Sequence, residues 1–402
     1  MRRGKKGWKI TTLGEILEKT PTINPLQLPD IEFDYIDVSS VSNQTFSIEE
    51  TQRLTGKDAP IRARKLVRTN DILFATIRPT LKRIAMVPAA LDKQICSTGY
   101  FVLRPKPEVD HRFVFHYLFS TDFMDAMGNL QKGASYPAVT DAEVRQQPFT
   151  FPPLNEQQRI VAILDEAFDG IATAKANAEK NLQNARSLFE SHLQSVFTRG
   201  KVDWPVKPLG DCVEDIATGP FGSLLHKSDY EMGGVPLVNP INIEGDQIVP
   251  NERKTVGKST AARLARYALR KGDIVIGRRG EIGRCAVVRA DQVGWLCGTG
   301  CFIIRPSTLT DPLYLTHLLR SKPYRQQLEG VSDRATMPSI SNSDLAKLMV
   351  QLPPLATQRS TLTLIEKLAT GTQRLEFIYQ QKLAALGELK KSLLHQAFSG
   401  EI

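Results

Sequence analysis

Pro152-Pro153-Leu154-Asn155-Glu156-Gln157 opens a stretch whose apolar residues run Ile160, Leu164, Ala167, Ile171, Ala174, Ala178, Leu182, Ala185, Phe189, Leu193 and Val196. Steps of three and four mark one face of an α-helix. The two prolines suit its start, where a missing N–H would be unpaired anyway. From 155 to 197 such a helix is about 60 Å long at ~1.5 Å per residue. A helix that long outruns a small domain and needs a partner. The sequence supplies one: Pro353-Pro354-Leu355-Ala356-Thr357-Gln358, at an offset of 201, leads into Ile365, Leu368, Leu375, Tyr379, Leu383, Leu386, Leu389, Leu393 and Ala397.

Outward from the helices the same offset persists. Cys96-Ser97-Thr98-Gly99-Tyr100-Phe101 with Arg104-Pro105 returns as Cys297-Gly298-Thr299-Gly300-Cys301-Phe302 with Arg305-Pro306, and Phe197 returns as Phe398. Trp8…Leu13-Gly14 matches Trp204…Leu209-Gly210 at 196, so the length differences fall in the first part of each unit. The 402 residues are one unit written twice. About the first 150 residues of each carry short β-branched runs between turn signals, such as Asp71-Ile72-Leu73-Phe74-Ala75-Thr76 and Asp273-Ile274-Val275-Ile276. These read as strands, followed by short amphipathic helices at 113–119 and 312–319. The predicted fold is α+β: two tandem mixed α/β domains separated by two long antiparallel, coiled-coil-like helices with pseudo-two-fold symmetry. Domain boundaries are expected at 1–151, 152–199, 200–352 and 353–402. The pairing face takes Ile160, Leu164, Ile171, Leu182, Phe189 and Leu193 from the first helix, and Ile365, Leu368, Leu375, Leu383, Leu386 and Leu393 from the second. Gly170 recurs as Gly371. Each costs ~1 kcal/mol against Ala in mid-helix, which points to a bend or close crossing, or to a short break.

Lys and Arg number 52 against 43 Asp and Glu, a net charge of +9 that predicts an anionic partner, nucleic acid first. The basic start is followed by no apolar stretch, and no run reaches the ~20 residues of a spanning helix. Five cysteines show no C-x-x-C pair. A cytoplasmic, reduced, metal-free protein is expected, with no membrane association. Basic residues cluster alike in both units: Arg62, Arg64, Lys65, Arg68, Arg78, Lys82 and Arg83 in the first, Arg263, Arg266, Arg270, Lys271, Arg278, Arg279 and Arg284 in the second. A single such charge usually does no more than solvate a surface. Recurrence argues for the group as a DNA-binding set, because the planar Arg fork suits guanine and phosphate. The loops 132–137 and 333–338 also correspond and add Lys132, Tyr136 and Arg334, although an ordinary turn would look much the same. An antiparallel helix pair would hold two readers about one DNA turn apart, ~34 Å, over a split and asymmetric target.

Catalytic patterns fail one by one. Gly257-Lys258-Ser259-Thr260 lacks the earlier glycine of a phosphate-binding loop, since position 252 is Glu252. Gly277-Arg278-Arg279-Gly280-Glu281-Ile282-Gly283 leads into a strand, not a helix, and fails the dinucleotide fingerprint. Asn239-Pro240-Ile241 is only a fragment of an amino-methyltransferase box. Asp246 with Glu252-Arg253-Lys254 resembles a nuclease triad no more than chance allows. The six histidines have no metal spacing; His116 and His317, which correspond, read as packed core imidazoles.

The chain resembles the specificity subunit of a type I restriction–modification system. Thr218-Gly219-Pro220-Phe221-Gly222-Ser223…His226-Lys227-Ser228-Asp229-Tyr230 is similar to the opening of a target recognition domain of that family, and Gly272-Asp273-Ile274-Val275-Ile276 to its later G-D-I/L motif. The two Pro-Pro-Leu…Gln stretches match the family's entry into its conserved helices; Gln396-Ala397-Phe398-Ser399-Gly400-Glu401-Ile402 is typical of its ending. Thr357 stands where the family has an acidic residue, and Asn70 where it has glycine before Asp71. The resemblance implies a non-catalytic reader of double-stranded DNA, each domain contacting half of a bipartite site. It also implies two modification subunits that use S-adenosylmethionine, and restriction subunits that use ATP and Mg. The chain itself would carry no cofactor. The competing expectation is a stand-alone tandem DNA-binding scaffold or regulator without a methyltransferase partner.

Overall fold

The computed structural model describes residues 7–198, 204–220, 224–330 and 339–402. They form two compact units, one of residues 1–180 with 379–402, the other of residues 181–378.

In the first unit Ile72–Ala75 pairs antiparallel with Ile84–Met86 on one side and Tyr100–Leu103 on the other. Every residue of Ile72–Ala75 is apolar and buried, because both faces of this sheet are covered. Alternation divides them between two cores. Ile72 and Phe74 join Phe101, Phe113 and Phe149 on one face, while Leu73 and Ala75 join Ile36, Cys96 and Tyr100 on the other. A second sheet runs Gln52–Thr55, Glu32–Ile36, Ile95–Ser97, Ala63–Leu66, with Tyr35 and Ile95 in a parallel pair.

The second unit repeats this plan. Ile274–Gly277 lies between Cys285–Val287 and Cys301–Pro306, and Val213–Thr218 extends that sheet. Ile274 and Ile276 face one core, Val275 the other. Leu237 and Leu296 form the corresponding parallel pair. The turn into the central strand has a left-handed residue in both units, Asn70 (φ 69°) and Gly272 (φ 86°). Asn tolerates that conformation better than other side-chain-bearing residues, which explains how it stands where glycine is usual.

Leu154–Thr198 and Leu355–Ser399 are unbroken helices of 45 residues, each about 68 Å long at ~1.5 Å per residue. In the first unit Ile160, Val161 and Leu164 share a core with Leu394 and Ala397, so the start of one helix meets the end of the other. In the second unit Leu193, Val196 and Phe197 share a core with Leu362 and Ile365, and Arg186 Nε donates to Glu376 at 2.7 Å. Within each unit the pairing is antiparallel. Two tandem mixed α/β domains are thus separated by two long helices.

Of the residues assigned to the helix-pairing face, Ile160, Leu164, Ile171 and Ile365 are buried; Leu182, Phe189, Leu193, Leu368, Leu383, Leu386 and Leu393 are half-buried. Leu375 departs from that assignment, being 43% exposed. The covered positions of the second helix run 365, 368, 372, 376, 379, 383 and 386, so Thr372 and Glu376 occupy the face and Leu375 lies at its margin, about 60° from its centre. Leu389 is exposed for the same reason, and the half-buried Lys390 takes its place, with its ammonium 4.5 Å from the centre of the Phe168 ring.

Neither a break nor a close crossing occurs at Gly170 or Gly371. Both are exposed, and a Cβ added at either meets nothing within 4 Å. Gly170→Ala and Gly371→Ala are therefore expected to stabilise the protein by ~1 kcal/mol each, read as a rise in melting temperature.

The Gln of each helix entry has a structural duty. Gln157 is fully buried; its Oε1 accepts from the Asp110 N–H at 2.8 Å and its Nε2 donates to the carbonyls of Glu108 and Pro152 at 3.2 and 2.9 Å. Gln358 repeats this with Asp311, Leu309 and Pro353 at 2.8, 3.0 and 2.8 Å. Asp110 and Asp311 in turn cap the helices His111–Tyr117 and Pro312–Arg320. Each Gln so fastens its domain to its long helix. Gln157→Leu strands buried partners and is expected to cost ~1–3 kcal/mol in chemical denaturation.

Candidate nucleic-acid interface

At the exit of each central strand the backbone is held alike. Thr76 N–H donates to the Gly99 carbonyl at 2.9 Å and its own carbonyl accepts from Val139 N–H at 2.9 Å; Arg278 does the same with Gly300 and Ile340, at 2.9 and 3.1 Å. Ile77 and Arg279 then form equivalent bridges, to Ala138 and Ser339. Arg278 is thus the counterpart of Thr76, and the counterpart of Arg78 is Gly280. The connections that follow differ in a telling way. Arg78 (φ 49°) and Lys82 (φ 56°) are left-handed, where the second unit has Gly280 (φ 73°) and Gly283 (φ 86°). A side chain in that conformation costs roughly 1–2 kcal/mol, so the first unit bears strain to present two exposed cations.

Arg78 is fixed by its neighbours. Its N–H donates to the Pro137 carbonyl at 2.6 Å, its Nη2 to the Ser135 carbonyl at 3.1 Å, and its guanidinium lies 5.3 Å from the Tyr136 ring centre. Tyr136 is 73% exposed. The fold therefore brings Arg78 and the 132–137 loop together. Lys132 Nζ is 3.3 Å from Glu143 Oε1, whose carboxyl the Thr140 N–H holds below its ordinary range. Arg62 is exposed, with its carbonyl accepting from Thr98 N–H beside Gly99.

In the second unit Arg278 is half-buried over Phe302, 5.4 Å from the ring centre. Its Nε is buried without a hydrogen-bond partner among the described residues. Burial first, then the neighbouring Arg279 charge, lower its pKa. Arg279 is exposed, and Arg284 pairs with Glu281. Gly219, Asn239 and Gly298 converge at this same end. A Cβ on Gly219 would sit 2.0 Å from the Gly298 carbonyl oxygen, and one on Gly298 would sit 2.4 Å from Asn239 Oδ1. The Asn239-Pro240 fragment is thus a packing element, a role that no sequence pattern signalled.

Other basic candidates lie elsewhere or are committed. Arg83 donates to the carbonyls of Ser39 and Val41, holding that turn. Arg64 donates to the Ala63 carbonyl at 2.9 Å. Arg263 binds the Leu224 carbonyl and Asp229 at 2.7 and 2.9 Å, and Arg266 stacks on Tyr267. Arg68 and Arg270 are exposed at the opposite end of the central strands. Arg334 lies outside the described residues, as do Phe221, Gly222 and Ser223. His116 packs in the core with Nε2 2.9 Å from Asp165 of the long helix, while burial and Arg320 lower the pKa of the half-buried His317. Burial pushes the Cys96 and Cys285 thiols up to about 12, as for small core residues. Among the described residues no helix is long and apolar enough to cross a membrane, and no three His, Cys, Asp or Glu side chains could hold a metal ion.

Residues 5–183 and 201–383 each match the type I restriction–modification DNA specificity domain. The chain belongs to that family. Specificity subunits bind DNA and are non-catalytic. Among relatives of this specificity subunit, one from Haemophilus influenzae, a putative type I restriction enzyme specificity subunit, is 24% identical over 70% of each chain. The type I restriction enzyme StySPI specificity subunit of Salmonella potsdam is 22% identical over all of this chain and 91% of its own. The crystal structure of the HsdS subunit from Thermoanaerobacter tengcongensis is 27% identical, with a TM-score of 0.73 over all of this chain and 98% of that one. A chain from a structure of type I R-M complex assembly and conformational transition gives 28% and 0.82 over the whole of both.

Proposed function

We propose that this specificity subunit reads an asymmetric bipartite DNA site in the cytoplasm, one half-site per domain, with the long helices setting the gap. Domains 1–151 and 200–352 are the readers; 152–199 and 353–402 are the spacers. Two modification subunits, which use S-adenosylmethionine, dock on the spacers, and restriction subunits using ATP and Mg complete the enzyme. The observation that carries this reading is one framework with two different loops. Thr76 and Arg278 share a backbone position, yet one unit offers strained Arg78 and Lys82 beside Tyr136, and the other a half-buried Arg278 beside Arg279.

Arg78→Ala is expected to weaken specific binding by ~1–3 kcal/mol and to relax selectivity at one position of one half-site, as measured by titration against single-base variants. A uniform loss with a shallower salt dependence would place Arg78 on phosphate, and no loss at all would refute its role. Mapping methylated bases in the host genome identifies the site. Recovery of the native protein without any methyltransferase subunit would favour the stand-alone scaffold instead.

A further inference from the structure

Each unit has a polar pocket of nearly equal size, about 350 Å³ in the first and 340 Å³ in the second, at the corner where the central strand begins and the long helix starts. Their linings correspond: Arg68 with Arg270, Asp71 with Asp273, Arg104 with Arg305, and Leu154 with Leu355. Of these, Asp71 and Arg104 bind each other, and Leu154 begins the helix. Arg68 and Arg270 have no such internal duty. Each is exposed, and its side chain makes no hydrogen bond or ion pair with a described residue. What holds them is the backbone: the N–H of each donates to the aspartate, at 2.7 Å from Asp71 and 2.8 Å from Asp273.

Duplication separates two kinds of surface. Loops that read different half-sites must differ, as the strand exits do. A surface that receives two copies of one partner must keep its key contacts in both units, as the Arg, Asp, Arg and Leu shared by these pockets are kept, while peripheral lining positions such as Lys106 and Ser307 or Gln158 and Arg359 differ. The extended chain from 71 to 77 also sets the first pocket roughly 20 Å from the Arg78 loop, at ~3.3 Å per residue. We propose that the two pockets are equivalent docking sites, each taking a carboxylate side chain of one modification subunit onto Arg68 or Arg270. This rests on the reading above, in which two such subunits assemble on the chain.

The test is native mass spectrometry of the full chain co-expressed with its modification subunit, without DNA. The expected result is two copies on the wild type, one on Arg68→Glu, one on Arg270→Glu and none on the double variant. The neutral Arg68→Gln and Arg270→Gln, which put no new charge beside the aspartates, should weaken one copy about tenfold. Two copies retained by every variant would overturn the pockets while leaving the function intact. Two copies retained with a DNA salt slope shallower by about one phosphate per variant would assign the pockets to DNA and also overturn the proposal. A wild-type chain that binds no modification subunit would overturn both.

Discussion

Asp71→Ala is expected to destabilise the first unit by about 3–5 kcal/mol, because it leaves a buried arginine without its counter-ion. Arg104 Nε and Nη2 donate to the two Asp71 oxygens at 2.8 and 2.6 Å, and the Asp71 side chain is only 2% exposed. Arginine stays protonated at any accessible pH even without a partner, so the guanidinium cannot escape by losing its proton once Asp71 is gone. The same carboxylate orders the turn by accepting from Arg68 N–H. The second unit supplies the contrast. Arg305 Nε lies 3.7 Å from Asp273, and its Nη1 turns to Asp215 at 3.2 Å. Burial raises the Asp273 pKa above its unfolded value, so its ionisation weakens this unit as pH rises past ~4. Asp273→Asn is therefore expected to cost less than ~1 kcal/mol at neutral pH, since its amide oxygen can still accept from Arg270 N–H. Hydrogen exchange read peptide by peptide should show a large protection loss in the first unit for Asp71→Ala and little in the second for Asp273→Asn.

Adding seven residues to each long helix, within 172–185 and at the matching place in the second, is expected to abolish binding to the original target. Seven residues preserve the phase of the pairing face, so the helices stay matched. They add about 10 Å at ~1.5 Å per residue, or roughly three base pairs. On the proposed reading, affinity for the parent site falls by 10³ or more, toward the non-specific level. A site with both halves intact and about three more unread base pairs restores it. A selection from random DNA checks this directly; recovery of the parent gap would refute the ruler.

The repeat, the central strands and the two helices were legible because their signals are periodic and doubled. Two copies of Pro-Pro-Leu with seams of three and four, and strands apolar on both faces, leave few alternatives. The details that failed depend on phase. Leu375 and Leu389 are apolar and near the seam, yet Thr372, Glu376 and Lys390 hold the face, and a run of leucines does not reveal which ones point inward. Arg78 and Arg278 fall in corresponding basic clusters, but the backbone pairs Arg278 with Thr76 and Gly280 with Arg78, two positions apart in the fold. The left-handed backbone of Arg78 and Lys82 left no trace in the sequence, because neither residue type favours it. Gln157 and Gln358 were visible only as motif letters. Their three-way hydrogen bonding requires the preceding loop to be folded back over the helix.

The first unit is assembled from residues 1–180 together with 379–402, and Leu394 and Ala397 complete its core beside Ile160 and Leu164. On a ribosome adding ~5–20 residues per second, the early domain therefore waits some 10–40 s for its closing helix. Meanwhile the second unit, continuous in the chain, can finish first. The nascent protein would spend that interval with apolar side chains bare, making the early domain the stage at which chaperone capture and premature aggregation compete.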